Sequence, residues 1–341
     1  MRTPKATIIL SCIVFIALGI LTATIGPVLP NLAGNTLSTL EAVGVIFTAL
    51  FLGAFLAQIG CGSLIDRFGP RPVLIGGLLL MATGMLGVTL SRSLPFMLAS
   101  GLLAGLGHGA VDIGINLLVA RVFQDRSVAA VNLVNFFFGV GAVTGPAIAS
   151  FTINRWNTGI PVIWMGVGVV LATIPFLAIF LLSPVAQSDR TVKTQDKPFF
   201  HSPLLWIAGM ILFLYVGSEN SMGGWTAEYM QRTTPVAADQ AALVVSGFWM
   251  TLTFGRLFAA YLGTRWTSDR LLAVSLSGTG IGGLILACST GSLPLTILAV
   301  LIIGFFFGPI FPTTFSICAS MFQGSSGKAT GLIVALASLG G

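Results

Sequence analysis

Eleven apolar segments of membrane-spanning length follow one another along 341 residues, and charged side chains make up only 8% of the chain. A helix needs about 20 predominantly apolar residues to cross the hydrocarbon. Within that layer every backbone N–H and C=O must be paired inside the segment, so helix is the expected conformation nearly throughout. The candidate spans are residues 6–30, 42–65, 72–90, 94–118, 128–152, 160–182, 204–230, 238–263, 271–288 and 293–319, with an eleventh starting at Ala329. The first run is longer than the apolar stretch of a cleavable leader and lacks its small-residue cleavage site, so it is expected to be retained. Hydrophobic residues at 55% and 42 glycines fit helices packed closely in lipid. The expected fold class is all-α and transmembrane.

The net charge of +6 does not point to nucleic acid, because the basic residues sit in short loops and alternate by side. One side collects Arg2, Lys5, Arg67, Arg71, Arg121, Arg126, Arg190, Lys193, Lys197, Arg265, Arg270 and Lys328, against Arg92, Arg155 and Arg232 on the other. This bias predicts a cytoplasmic N-terminus in the plasma (cytoplasmic) membrane. The four cysteines are scattered, without metal-ligand spacing or a disulfide framework. No nucleophile–base pair is recognisable, so neither an enzyme nor a cofactor is expected.

The chain looks internally duplicated. Gly105, Gly109 and Phe123 return as Gly304, Gly308 and Phe322, 199 residues on, and Gly60 with Asp66-Arg67 returns as Gly263 with Asp269-Arg270. The predicted organisation is a six-helix bundle over residues 1–183, a cytoplasmic linker over 184–203 and a second bundle over 204–341. Repeat arithmetic expects the second bundle to continue roughly 40 residues further, which would make it incomplete here.

Ionisable and amide side chains inside the spans are costly in lipid and mark a polar path. On span four, His108, Asp112 and Asn116 follow at i, i+4 and i+8 and share one helix face. An acid there suits the carriage of a proton or the binding of a cation. Span five adds Asn132 and Asn135, whose amides both donate and accept, as solute hydroxyls require. Span seven carries Tyr215, Glu219, Asn220 and Trp225, and span eight carries Trp249, Thr253 and Arg256. Arg256 is deep enough to need a carboxylate, with Asp112 and Glu219 the two alternatives.

The loop after span two reads Gly62-Ser-Leu-Ile-Asp66-Arg67-Phe-Gly69-Pro70-Arg71. It closely resembles the cytoplasmic loop signature of the major facilitator superfamily, except that Pro70 replaces the usual basic residue. The glycines of span four with Asp112 and Asn116, Asn132 to Ala142 on span five, Tyr215 to Glu219, and Gly308-Pro-Ile-Phe-Pro312 resemble the fucose/glucose-type sugar:cation symporters. The resemblance implies two pseudo-symmetric six-helix bundles. It also implies a latch of Gly62, Asp66, Arg67, Gly69 and Arg71, with Arg121 as a partner; for Arg256, its depth in the span alone suggests a structural or gating role. The resemblance places a functional acid at Asp112, but Thr22 stands where the related carriers have an acid in span one. Coupling by Asp112 alone, coupling through Glu219 and uncoupled transport stay open. The implied activity is secondary transport of a sugar or similar small polar solute by alternating access, by a monomer in the lipid bilayer, with H+ or Na+ as coupling ion. The alternative is a drug or metabolite efflux antiporter, since Gly141-x-x-x-Gly145-Pro146 partly resembles an exporter signature.

Overall fold

The computed structural model describes residues 4–180, 202–236, 238–322 and 325–340. The predicted linker lies almost wholly outside them. Among the described residues the regular structure is entirely helical. The helices are α1 (Pro4–Thr36), α2 (Leu40–Gly44), α3 (Ile46–Phe68), α4 (Pro70–Leu90), α5 (Leu94–Phe123) and α6 (Ser127–Trp156). They continue with α7 (Ile160–Phe180), α8 (Pro203–Thr233), α9 (Ala238–Leu262), α10 (Ser268–Ala287), α11 (Leu293–Phe307), α12 (Ile310–Met321) and α13 (Ser326–Gly340). Span two is therefore α2 with α3, and span ten is α11 with α12.

Among the described residues, eight helical stretches are long and apolar enough to cross a membrane. One of them, residues 94–156, contains both α5 and α6, joined by a single 3-10 turn at Gln124–Arg126. α9 is a continuous 25-residue helix that carries Arg256, and α13 is a shorter apolar helix of 15 residues. The eleven segments of the sequence thus all form helices among the described residues.

Helix ends follow local chemistry. Gly69 closes α3 at φ 81°, a left-handed conformation open to glycine, and lets Pro70 start α4 at once. Thr267 caps α10 by accepting the Arg270 N–H. Span ten breaks at Gly308-Pro309, where Pro309 precedes α12 and has no N–H to continue the ladder.

Close helix contacts repeat across the halves. A Cβ on Gly105 would strike the Leu50 main chain, and one on Gly109 would strike that of Ala54, so α5 lies directly on α3. Gly304 and Gly308 lie in the same way against Phe248 and Leu252 of α9. The two sequence-repeated glycine pairs therefore do the same work, admitting span four onto span two and span ten onto span eight.

Because the spans alternate in direction, the ends of α3, α5, α9 and α12 and the starts of α6, α10 and α13 share one end of the molecule. We call it the latch end. The tightest approaches between the two halves lie toward it. Gly62 meets Gly327, Gly331 meets Gln58, Gly263 meets Ala129 and Gly139 meets Thr253. The largest apolar core accordingly crosses the seam, running from Leu74 and Ile115 to Phe315, Ala329 and Ile333.

Candidate functional site

At the latch end Asp66 is the hub. Its Oδ1 accepts from Arg121 Nη2 at 2.6 Å and from the Gly327 N–H at 2.9 Å, and its Oδ2 accepts from the Lys328 N–H at 2.9 Å. The last two donors are free N–H groups of the first turn of α13, where the helix dipole favours an anion. Arg121 also donates to Ser326 Oγ at 2.7 Å. One carboxylate thus ties α3 to α5 and to the start of α13. Arg67 does not join this set; its guanidinium lies over the Phe68 ring, 5.0 Å from the centroid. Arg71 is half-buried in the first turn of α4, Gly69 makes the turn, and Gly62 lets Gly327 approach.

Deeper in the molecule, the span-four stripe is assembled as its spacing predicts. Asn116 Nδ2 donates to Asp112 Oδ1 at 3.0 Å, and Asn135 Nδ2 donates to Asn116 Oδ1 at 2.9 Å. His108 and Asp112 are half-buried, whereas Asn116 and Asn135 are fully enclosed. Asn132 is also enclosed, donating to the Val128 carbonyl and to Thr313 Oγ1 at 3.4 Å. The two span-five amides therefore face the protein interior, and Asn132 reaches across to α12.

Arg256 finds its carboxylate in Glu219, with Nη2 at 3.8 Å from Oε1. Its Nη1 donates to the Asn135 main-chain carbonyl at 3.3 Å, across the seam between α9 and α6. Tyr215 lies one turn before Glu219 on α8, packed edge-on against Phe307 at 5.4 Å. Its hydroxyl, Arg256 Nε and Asn132 Oδ1 are buried without a hydrogen-bond partner. Asn220 is exposed, Trp225 is 70% exposed, and Trp249 packs against Gly223 and Phe248.

Two features escaped the sequence reading. Thr22 Oγ1 lies 3.4 Å from His108 Nδ1 while donating to the Leu18 carbonyl. Together they form the polar wall of a small cavity of about 30 Å³, otherwise lined by apolar groups including Phe47, Phe51, Ile25 and Met85. The sequence marked Thr22 only as a missing acid; nothing in its spacing pointed to His108, 86 positions on. The second is the Gln58–Ser338 bond at 2.7 Å, which joins α3 to α13. The exporter-like glycines are absorbed in packing: Gly141 lies against the Ile16 main chain, and Gly145 against Thr24 and Ile20.

Residues 10–341 match the model of the Major Facilitator Superfamily. Relatives include a nitrite extrusion protein of Bacillus subtilis, 25% identical over 91% of this chain and 76% of that one. Another is sodium-dependent glucose transporter 1 of Xenopus laevis, 21% identical over 93% of this chain and 70% of that one. Among solved structures, the E. coli fucose:proton symporter FucP superposes with TM-score 0.79 at 17% identity, covering 99% of this chain and 90% of that one. The proton:xylose symporter XylE superposes with TM-score 0.81 at 14% identity, covering 99% and 86%. With the helical fold, the repeated halves and a family match running nearly end to end, this chain belongs to the Major Facilitator Superfamily, and it is a membrane transporter and not an enzyme.

Proposed function

We propose that this transporter carries a sugar or similar small polar solute, coupled to a cation, by rocking of two bundles over residues 1–183 and 204–341. The observation that carries the reading is the charge balance of the buried cluster. Two acids share one arginine: Glu219 pairs with Arg256 directly, and Asp112 is linked to it through Asn116 and Asn135. With both acids ionised the cluster holds one unmatched negative charge. A group so placed takes up a proton or a metal cation more readily than it stays ionised and bare. Glu219 already has Arg256, so the half-buried Asp112, whose side chain is held by Asn116, is the acid left for the coupling ion. His108 and Asp112 are the reachable members of the stripe for solute hydroxyls, and Asn116 and Asn135 hold Asp112 in place.

If the basic, latch end is cytoplasmic, as the positive-inside bias indicates, the molecule is shut toward the cytoplasm. Asp66, Arg121 and the first turn of α13 would be the contacts broken when it opens there. The names of the relatives add support: a sodium-dependent glucose transporter and two proton-coupled sugar symporters share the fold. The site of residence would be the plasma membrane, and the working unit a monomer.

Counterflow in proteoliposomes tests the reading. Labelled monosaccharide is expected to exchange into vesicles preloaded with the same sugar, and an imposed proton or sodium gradient is expected to raise its accumulation. Absence of exchange for every monosaccharide tried would reject the sugar class. A second reading, efflux of a small anion or metabolite, is favoured by the similarity to a nitrite extrusion protein. Exchange of nitrite or an organic anion in place of sugar would select it.

A further inference from the structure

Arg256 is bonded to both halves of the molecule. It belongs to α9, its salt-bridge partner Glu219 to α8, and its main-chain acceptor, the Asn135 carbonyl, to α6 of the first half. From Asn135 the chain of contacts continues through Asn116 to Asp112. The helices approach closely at this place: Gly139 admits Thr253 one turn from Arg256 toward the far end, and Gly263 admits Ala129 on the latch side. The Arg256 side chain is 9% exposed, and its Nε has no acceptor.

These contacts leave Arg256 divided between two weak partners. The 3.8 Å separation from Glu219 is too long for a hydrogen bond, and the 3.3 Å bond to the Asn135 carbonyl is long for a charged donor. A buried cation that loses an acceptor must find another. When α9 parts from α6, the carbonyl is lost, and the nearest compensation within the second half is Glu219. We propose that Arg256 is the positioning residue that couples the acids of the cleft to closure of the latch end. While its guanidinium holds the Asn135 carbonyl the seam stays shut. Opening transfers it fully to Glu219.

The proposal deepens the carrier reading given above and rests on it for the meaning of opening, yet its test needs no solute. The complete transporter is placed in lipid nanodiscs with its four native cysteines replaced by alanine. Nitroxide labels are attached at Asp125→Cys and Thr264→Cys, two exposed positions at the latch end of opposite halves. Electron–electron distance measurements then give the ratio of long to short separations.

Arg256→Gln, which cannot make the charged bond, is expected to raise that ratio about tenfold. Arg256→Lys keeps the charge but not the fork that reaches two acceptors, and is expected to raise it about threefold. Glu219→Gln removes the negative charge that receives the guanidinium on opening, and is expected to lower it. The double variant Glu219→Gln/Arg256→Gln removes both charges of the pair, and is expected to regain the parental melting temperature while keeping the raised ratio. A folded Arg256→Gln or Arg256→Lys protein with the parental ratio would overturn the proposal. So would a double variant in which the ratio returns to the parental value together with stability, because the arginine would then only balance a charge. Failure of sugar counterflow in the parent would reject the carried solute and leave the distance result standing.

Discussion

The step of 199 residues that carries Gly105 onto Gly304 also carries His108, Asp112 and Asn116 onto Phe307, Phe311 and Phe315. The polar stripe of span four is thus answered in span ten by three phenylalanines on the same register. They form a ladder with Tyr215: Tyr215 meets Phe307 edge-on at 5.4 Å, Phe311 lies at 6.4 Å from both Tyr215 and Phe315, and Phe248 closes on Phe307 at 6.1 Å. The glycine pairs recur in both halves, while the side chains on the same face are hydrogen-bonding in the first half and aromatic in the second. The duplication therefore fixes helix packing in both halves but concentrates amide chemistry and the uncompensated acid in one. Arg256 shows the same asymmetry. A step of 203 residues, the one that relates Gly60 to Gly263, places it opposite Gly53, whose missing side chain would run into the Leu102 carbonyl.

The most severe test of this division moves polarity across it. Phe315 is fully buried, and Phe315→Asn would remove a ring and leave an amide with no designed partner. A Phe truncation alone costs about 3–5 kcal/mol, and an unsatisfied buried amide adds about 1–3 kcal/mol. Loss of a monodisperse, folded protein in fluorescence-detected size exclusion is expected. If Phe315→Asn folds and transports normally, the aromatic ladder is not what holds the second half.

Next in size is the loss of the acid from the first half. Asp112→Asn keeps the shape and the Asn116 contact but removes the charge. Accumulation driven by an ion gradient is expected to fall at least tenfold, about 1.4 kcal/mol of lost coupling, while equilibrium counterflow stays within about threefold. Equal loss of both would make Asp112 a solute ligand and not the coupling group.

The glycines test the part of the comparison in which the halves agree. Gly105→Ala sets its methyl against main-chain atoms of Leu50, which cannot turn away. Gly304→Ala first meets the Thr251 hydroxyl, which can rotate, and then the Phe248 carbonyl. Overpacking costs about 1–3 kcal/mol, and Gly105→Ala should lie at the upper end and Gly304→Ala at the lower. Thermal unfolding in detergent ranks them, and a reversed order would show that the second half is packed more rigidly than the first.

Legibility from sequence divided along the same line. Apolar length and repeated glycines encode backbone geometry locally, so the helices and their close approaches could be read from residues near one another in the chain. The span-four stripe was readable because i, i+4 spacing fixes a helix face. Partner choice was not. Arg256 had two acids of comparable depth, and only the placement of α8 against α9 selects Glu219. Thr22 and His108 meet because α1 packs against α5, which no local pattern encodes. In the latch, Arg67 and Arg121 were both available for Asp66; the closing element was the first turn of α13, whose N–H groups carry no signature in the side-chain sequence.

The smallest expected effect separates the two amides of span five, which the sequence treats alike. Asn135 supports Asn116 through its side chain and offers Arg256 its carbonyl, so Asn135→Ala leaves the Asn116 oxygen short of a donor next to Asp112. Asn132 bonds mainly its own helix, its contact with Thr313 is 3.4 Å long, and its carbonyl oxygen has no partner. Removing an amide that is already half unsatisfied costs about 1 kcal/mol or less, because a buried orphan acceptor leaves with it. Asn132→Ala is therefore expected to change melting temperature and counterflow little, within about twofold in rate, while Asn135→Ala costs about 1–2 kcal/mol and weakens gradient-driven accumulation along with Asp112. If Asn132→Ala instead abolishes exchange, this enclosed amide must meet the solute in the opposite conformation, and the polar surface of the cleft extends across the seam to α12.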